Sequence, residues 1–169
     1  KIKKLEQEGY QFEAAEASLQ ILLKKLTGKH EAQFWLERLF VSVEQNSGQP
    51  SNVQATVKIV VFGHKKHEVA EGDGPVSAVD NALRKALVSF YPHLEDVRLL
   101  DYKVRVINGH GGVDSKVRVL ITTGDKHDIW TTVGVSKNII EASCLALMDS
   151  YHYKLGQQPN SRRRIKRRQ

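Results

Sequence analysis

The sequence predicts an α+β fold: two copies of a three-strand-plus-helix (βββα) unit, preceded by short linker helices. Three observations carry that reading. Runs of alternating, β-branched residues come in threes, which is strand patterning. Each trio leads into a segment with helical spacing. The second set of elements then repeats the first about sixty residues later, and self-similarity at a fixed offset signals a duplicated structural unit.

The elements follow in order. Residues Lys1 to Thr27 carry apolar positions at helical spacing (Leu5, Phe12, Ala15, Leu19, Leu22, Leu23, Leu26), with Gly9 suggesting a break between two short helices and Gly28 a C-cap. We take residues 1–28 as a helical linker whose apolar face must pack on the body that follows or on a part that precedes it. From Arg38 the pattern changes to strands at Arg38–Glu44, Ala55–Phe62 and Lys66–Glu71, then to a helix from Val76 to about Phe90 with Val76, Val79, Ala82, Leu83, Ala86 and Leu87 as its buried stripe. The second set has strands at Val97–Ile107, Ser115–Thr123 and His127–Val135 and a long helix over Ser136–Leu155. Glycine-rich Asn108–Asp114 forms the turn after its first strand. A shift of sixty lays Val57, Lys58 and Ile59 on Val117, Arg118 and Val119, and Val79, Ala82, Ala86 and Leu87 on Ile139, Ala142, Ala146 and Leu147. The predicted body is therefore residues 36–155, with repeats at about 38–90 and 97–155. The sheets pack through their helices or join edge to edge.

Composition narrows the function classes. The single Cys144 leaves no disulfide framework and no cysteine-rich zinc site, which agrees with a reducing, cytoplasmic setting. No apolar run is long enough to span a bilayer. The formal charge is +7, but SRRRIKRRQ at the end holds six basic residues, so the rest of the chain carries about +1. The basic character belongs to a tail at residues 156–169, which we expect to be disordered. The seven histidines form no HxH or HExxH spacing, no nucleophile stands beside a base, and no catalytic or metal-binding residue is assigned.

The stretch GDGPVSAVDNAL (Gly72–Leu83) puts a glycine turn before a helix, where backbone N–H groups can meet an anion. It lacks the Lys-Ser/Thr ending of a P-loop, and Pro75 suits a first helical position. The order of helix, three strands and helix is also that of a double-stranded-RNA module, but Asp73 and Asp80 are poor partners for phosphate, and only the tail favours nucleic acid. With the second helix start (Thr131–Asn138) and apolar Val76, Leu99, Val106, Val117 and Ile139, these turns fit a ligand with a carboxylate and an aliphatic tail, such as an amino acid. The same residues equally fit a plain core between two half-domains.

Five ordered segments resemble the C-terminal regulatory part of the isopropylmalate synthase family, its citramalate-synthase branch in particular: GYQFEAAEASLQILLKK (Gly9–Lys25), GDGPVSAVDNAL (Gly72–Leu83), DYKVRV (Asp101–Val106), GGVDSKVRV (Gly111–Val119) and WTTVGVSKNIIEASCLAL (Trp130–Leu147). The resemblance implies a homodimerising domain that binds the end-product amino acid as a feedback inhibitor, isoleucine for the citramalate branch and leucine for the isopropylmalate branch. It implies an effector pocket at Gly72, Val76, Leu99, Tyr102, Val106, Ser115, Val117, Lys137 and Ile139, with Lys137 standing where the family often has proline. It further implies a catalytic TIM-barrel partner that uses a divalent metal and acetyl-CoA. That barrel is not among these residues, so the fragment is expected to be inactive and to need no cofactor of its own. The linker helices are then expected to carry the effector signal to the barrel, a coupling of about 1–3 kcal/mol in typical cases.

Overall fold

A computed structural model of the chain describes residues 1–107 and 115–157. The linker region forms α1 (Ile2–Gln7), a 3-10 turn (Phe12–Ala14) and α2 (Glu16–Leu26). The first repeat is β1 (Trp35–Glu44), β2 (Asn52–Val61), β3 (His64–Gly72) and α3 (Pro75–Val88). The second is β4 (Arg98–Ile107), β5 (Lys116–Gly124), β6 (Ile129–Ser136) and α4 (Ile139–Gln157). Each trio is its own antiparallel sheet with the middle strand central, so the two sheets are not joined edge to edge.

Alternation sets which side of each sheet meets a helix. In β2, Val53, Ala55, Val57, Ile59 and Val61 are all buried, while the residues between them face outward. Helix α3 presents Ala78, Val79, Ala82, Leu83, Ala86 and Leu87 to that face. Helix α4 covers β5 and β6 in the same way. The two helices meet between the sheets, where the buried Tyr151 hydroxyl donates to Asp80 Oδ1 at 2.8 Å. One continuous core runs through both repeats.

The duplication stands, but the shift of sixty does not. Leu36 pairs with Ile59 before a bulge in β1, and Leu99 pairs with Thr123 before the matching bulge in β4. This relates β1 to β4 by 63 residues and β2 to β5 by 64. Gly72 and Ser136, the partners of Val53 and Val117, are also 64 apart. The seven buried residues Ala78, Val79, Asp80, Ala82, Leu83, Ala86 and Leu87 then fall on Ala142, Ser143, Cys144, Ala146, Leu147, Ser150 and Tyr151, every one of them buried. A slip of four residues is about one helical turn and two full pleats, so it leaves the apolar pattern on the same face. Periodicity could not see the error.

The linker helices pack on the body. Phe12, Ala15, Ile2, Leu5, Tyr10, Leu19 and Leu22 form a second cluster with Leu120, Val133 and Val135 on the outer side of the second sheet. Gly9, at φ +110°, turns the chain between the two helices, and a Cβ there would strike Ile107. Arg118 holds the turn in place, donating to the Gly9 carbonyl and to Gln11 Oε1. Of the predicted tail, Gly156 and Gln157 still belong to α4. The remaining tail residues and the turn at 108–114 lie outside the described residues.

Candidate functional site

The second repeat gathers most of the nine candidate residues around the start of α4. Strand pairing puts Val106 opposite Val117, and Val117 opposite Ser136, just before Lys137 and Ile139. Tyr102 lies opposite the buried Ile121 and Leu99 opposite the buried Thr123. Cross-strand partners share a face, so Leu99, Tyr102, Val104 and Val106 all point to the helix side of the sheet. Helix α4 lies over β5 and β6 and leaves that strip of β4 open. Hence Val106 is 60% exposed and Ile139 42% exposed, although both border the core side. Ser115, immediately before β5, is half-buried beside Val117.

A hydroxyl pair joins the strip to the helix. Ser143 Oγ donates to the Ile139 carbonyl at 2.6 Å, which uses its one proton. Tyr102 Oη, 3.2 Å from Ser143 Oγ, is therefore the donor of that bond. Ser143 and Val104 belong to the strip and were absent from the sequence-based set. A serine inside a helix carries no periodic signal, and Val104 reads as an ordinary alternating strand residue.

The two helix starts differ. At α4, Asn138 Oδ1 accepts from the backbone N–H of Ile140 at 2.8 Å and of Glu141 at 3.3 Å. Ser136 Oγ accepts from Asn138 N–H at 3.1 Å. These groups are already capped, so a carboxylate arriving there competes with Asn138. At α3, Gly74 is the N-cap, with no side-chain cap. Its first turn borders a recess of about 350 Å³ lined by Asn52, Glu71, Gly72, Asp73, Ser77 and Asn81. Gly72 presses against the backbone of Ser77 and Ala78, where a Cβ would collide. Its lack of a side chain is thus explained by strand-to-helix packing, and it borders this recess in the first repeat. Val76, in the same first turn, is half-buried against the main core, as Leu99 and Tyr102 separately are.

The profile of the LeuA allosteric (dimerisation) domain matches residues 13–155. The chain belongs to this family. As a LeuA-type domain it is similar to the (R)-citramalate synthase of Geobacter sulfurreducens, 51% identical over 155 residues, a match covering 91% of this chain and 29% of that protein. The (R)-citramalate synthase of Aquifex aeolicus is 50% identical over 157 residues, covering 92% of this chain and 30% of that one. A 2-isopropylmalate synthase of Thermus thermophilus is 36% identical over 96 residues, 57% of this chain and 27% of that protein. The LeuA-type domain thus spans under a third of the length of these curated relatives. The resemblance to the citramalate branch, and the two-repeat fold it implied, both hold. No helix among the described residues is long and apolar enough to cross a membrane.

Proposed function

We propose that this domain is the amino-acid-sensing and dimerising part of a citramalate-type acyltransferase, with isoleucine as its effector and leucine as the alternative. The observation that carries the reading is the apolar strip of β4, in which Tyr102 bonds Ser143 of α4 and Val106 stays open beside the start of that helix. A branched aliphatic side chain lies along Leu99, Val106, Val117 and Ile139. The polar end of the ligand meets the Ser115 hydroxyl and takes the place of Asn138 Oδ1 at the backbone amides that follow Lys137. Gly72 and Val76 belong to the same reading as rim residues beside the α3 start, whose N-cap Gly74 has no side-chain cap. Isoleucine and leucine differ by one relocated methyl, which is worth about 1–3 kcal/mol in an apolar pocket.

Feedback inhibition, a homodimeric state, a cytoplasmic location and a barrel partner holding a divalent metal and acetyl-CoA belong to this same reading. On this reading the metal chemistry belongs to the barrel. Titration calorimetry with isoleucine, leucine and valine tests the proposal. Saturable isoleucine binding, lost in Tyr102→Ala, supports it. Leucine-only binding moves the domain to the isopropylmalate branch. Silence toward all three, in a folded protein, overturns the sensing role.

A further inference from the structure

A second apolar surface lies in the first repeat. Helix α3 lies mainly over β2 and β3 and touches β1 only in part, so much of the helix side of β1 stays open. The open residues Leu36, Leu39 and Val41 face Cys144, Leu145 and Met148 of α4 across a groove of about 850 Å³. That is within the roughly 300–1,000 Å³ of small-molecule pockets. One end of the groove is polar, lined by Lys25, His30, Asp149 and His152. These four come from α2, the segment after it, and α4.

Among the described residues, His152 is the unpartnered group at this end of the groove. Its side chain is about nine-tenths buried and its Nδ1 has no hydrogen-bond partner among the described residues. The ring is held by stacking on Phe34 at 4.3 Å between centroids, and His30 stands edge-on at 5.6 Å. A buried ring nitrogen without a partner is costly in a native structure. Asp149 sits one helical turn before it, accepting from Lys25 Nζ at 3.3 Å.

We propose that this groove is a second small-ligand site, taking an α-amino acid with an aliphatic side chain. The ammonium is shared by Asp149 and His152 Nδ1, the carboxylate meets Lys25, and the side chain lies between β1 and α4. In the tautomer where Nδ1 carries its proton, that nitrogen donates to the carboxylate instead, so the zwitterion satisfies His152 either way. Burial depresses the basicity of His152 to about 3, so the imidazole is neutral and does not repel an ammonium. The site rests on its own geometry and does not depend on the effector strip of β4.

Trp35 lines the groove and is one of two tryptophans, the other being the buried Trp130. Incorporating 5-fluorotryptophan gives each a fluorine resonance, assigned with Trp35→Phe. Titrating L-leucine, L-isoleucine and L-norleucine is expected to shift the Trp35 resonance saturably and leave Trp130 in place. His152→Phe keeps the stack on Phe34 but removes Nδ1. Leu145→Glu alters an exposed groove residue without touching the core. Each is expected to weaken the response about tenfold or more, with an unmoved Trp130 resonance reporting an intact fold. Tyr102→Ala is expected to leave the Trp35 response intact, which separates this site from the strip of β4. A Trp35 resonance that ignores all three amino acids overturns the proposal. So does a response surviving in both groove variants, or one that follows protein concentration alone, which would mean a second copy covers the groove.

Discussion

Ser18 and Asp149 are 131 residues apart and share a hydrogen bond of 3.0 Å that ties linker helix α2 to α4. Ser18 Oγ also accepts the backbone N–H of Val133 at 3.0 Å, on the edge strand of the second sheet. One buried hydroxyl thus joins the linker, the sheet and the helix whose first turn borders the effector strip. This is a physical contact between the proposed sensor and the proposed transmitter.

Ser18→Ala leaves both the Val133 amide and an Asp149 oxygen without their partner. The expected loss is about 1–3 kcal/mol in urea unfolding. Hydrogen exchange at Val133 should accelerate, while exchange in β2 should not. A stability unchanged by this substitution would show that α2 is not held through Ser18.

Lys154 is buried against Asp125 and Asp128 and lies 5.3 Å from the centre of the Trp130 ring. Burial pushes the Asp125 carboxyl up, but hydrogen bonds from Lys154 and from the amides of His127 and Asp128 win and hold it at about 2. Lys154→Met strands that carboxylate in the interior. The expected cost is about 3–5 kcal/mol, read from the denaturation midpoint. Lys25→Met, at a half-exposed pair, should cost far less.

Glycine spacing gives a contrasting pair. A Cβ at Gly134 would run into the Ala142 carbonyl of α4, whereas one at Gly74 meets nothing within 4 Å. Gly134→Ala is expected to destabilise by about 1–3 kcal/mol, because sheet and helix must separate. Gly74→Ser adds a side-chain cap to α3 and should be neutral or stabilising by a few tenths of a kcal/mol. Thermal melting of the two variants checks both.

Acid sensitivity follows from His152. Its ordinary value is 6.5, and burial lowers it to about 3 in the folded chain. Between those values the unfolded chain takes up a proton that the native one does not. Stability therefore falls as pH falls through this window, by up to about 1.4 kcal/mol per pH unit. His30 and His93, also lowered chiefly by burial, act in the same direction. Asp125 adds a further loss as pH falls from 3.8 toward about 2. Buried Asp80 and Asp149, raised by desolvation, oppose the trend in the acid range. Urea unfolding across this window should show a shallower pH slope in His152→Phe. An unchanged slope would place the acid response elsewhere.

The alternation in β2, the apolar stripe of α3 and the break at Gly9 were readable from the chain because each is a local pattern with its own period. So was the duplication, and so were the strip residues Leu99, Val106, Val117 and Ile139, as apolar positions. What the chain alone left undecided was register between the repeats, since sixty and sixty-four residues put the same side chains on the same faces. It also left undecided that α2 docks on the second sheet, that Ser143 answers Tyr102, and that Ser18 meets Asp149. Those contacts join polar residues far apart in sequence, and such residues follow no period. Only the closing of the two repeats around α3 and α4 decided which edge strands stay uncovered, and so where open apolar surface remains for a ligand.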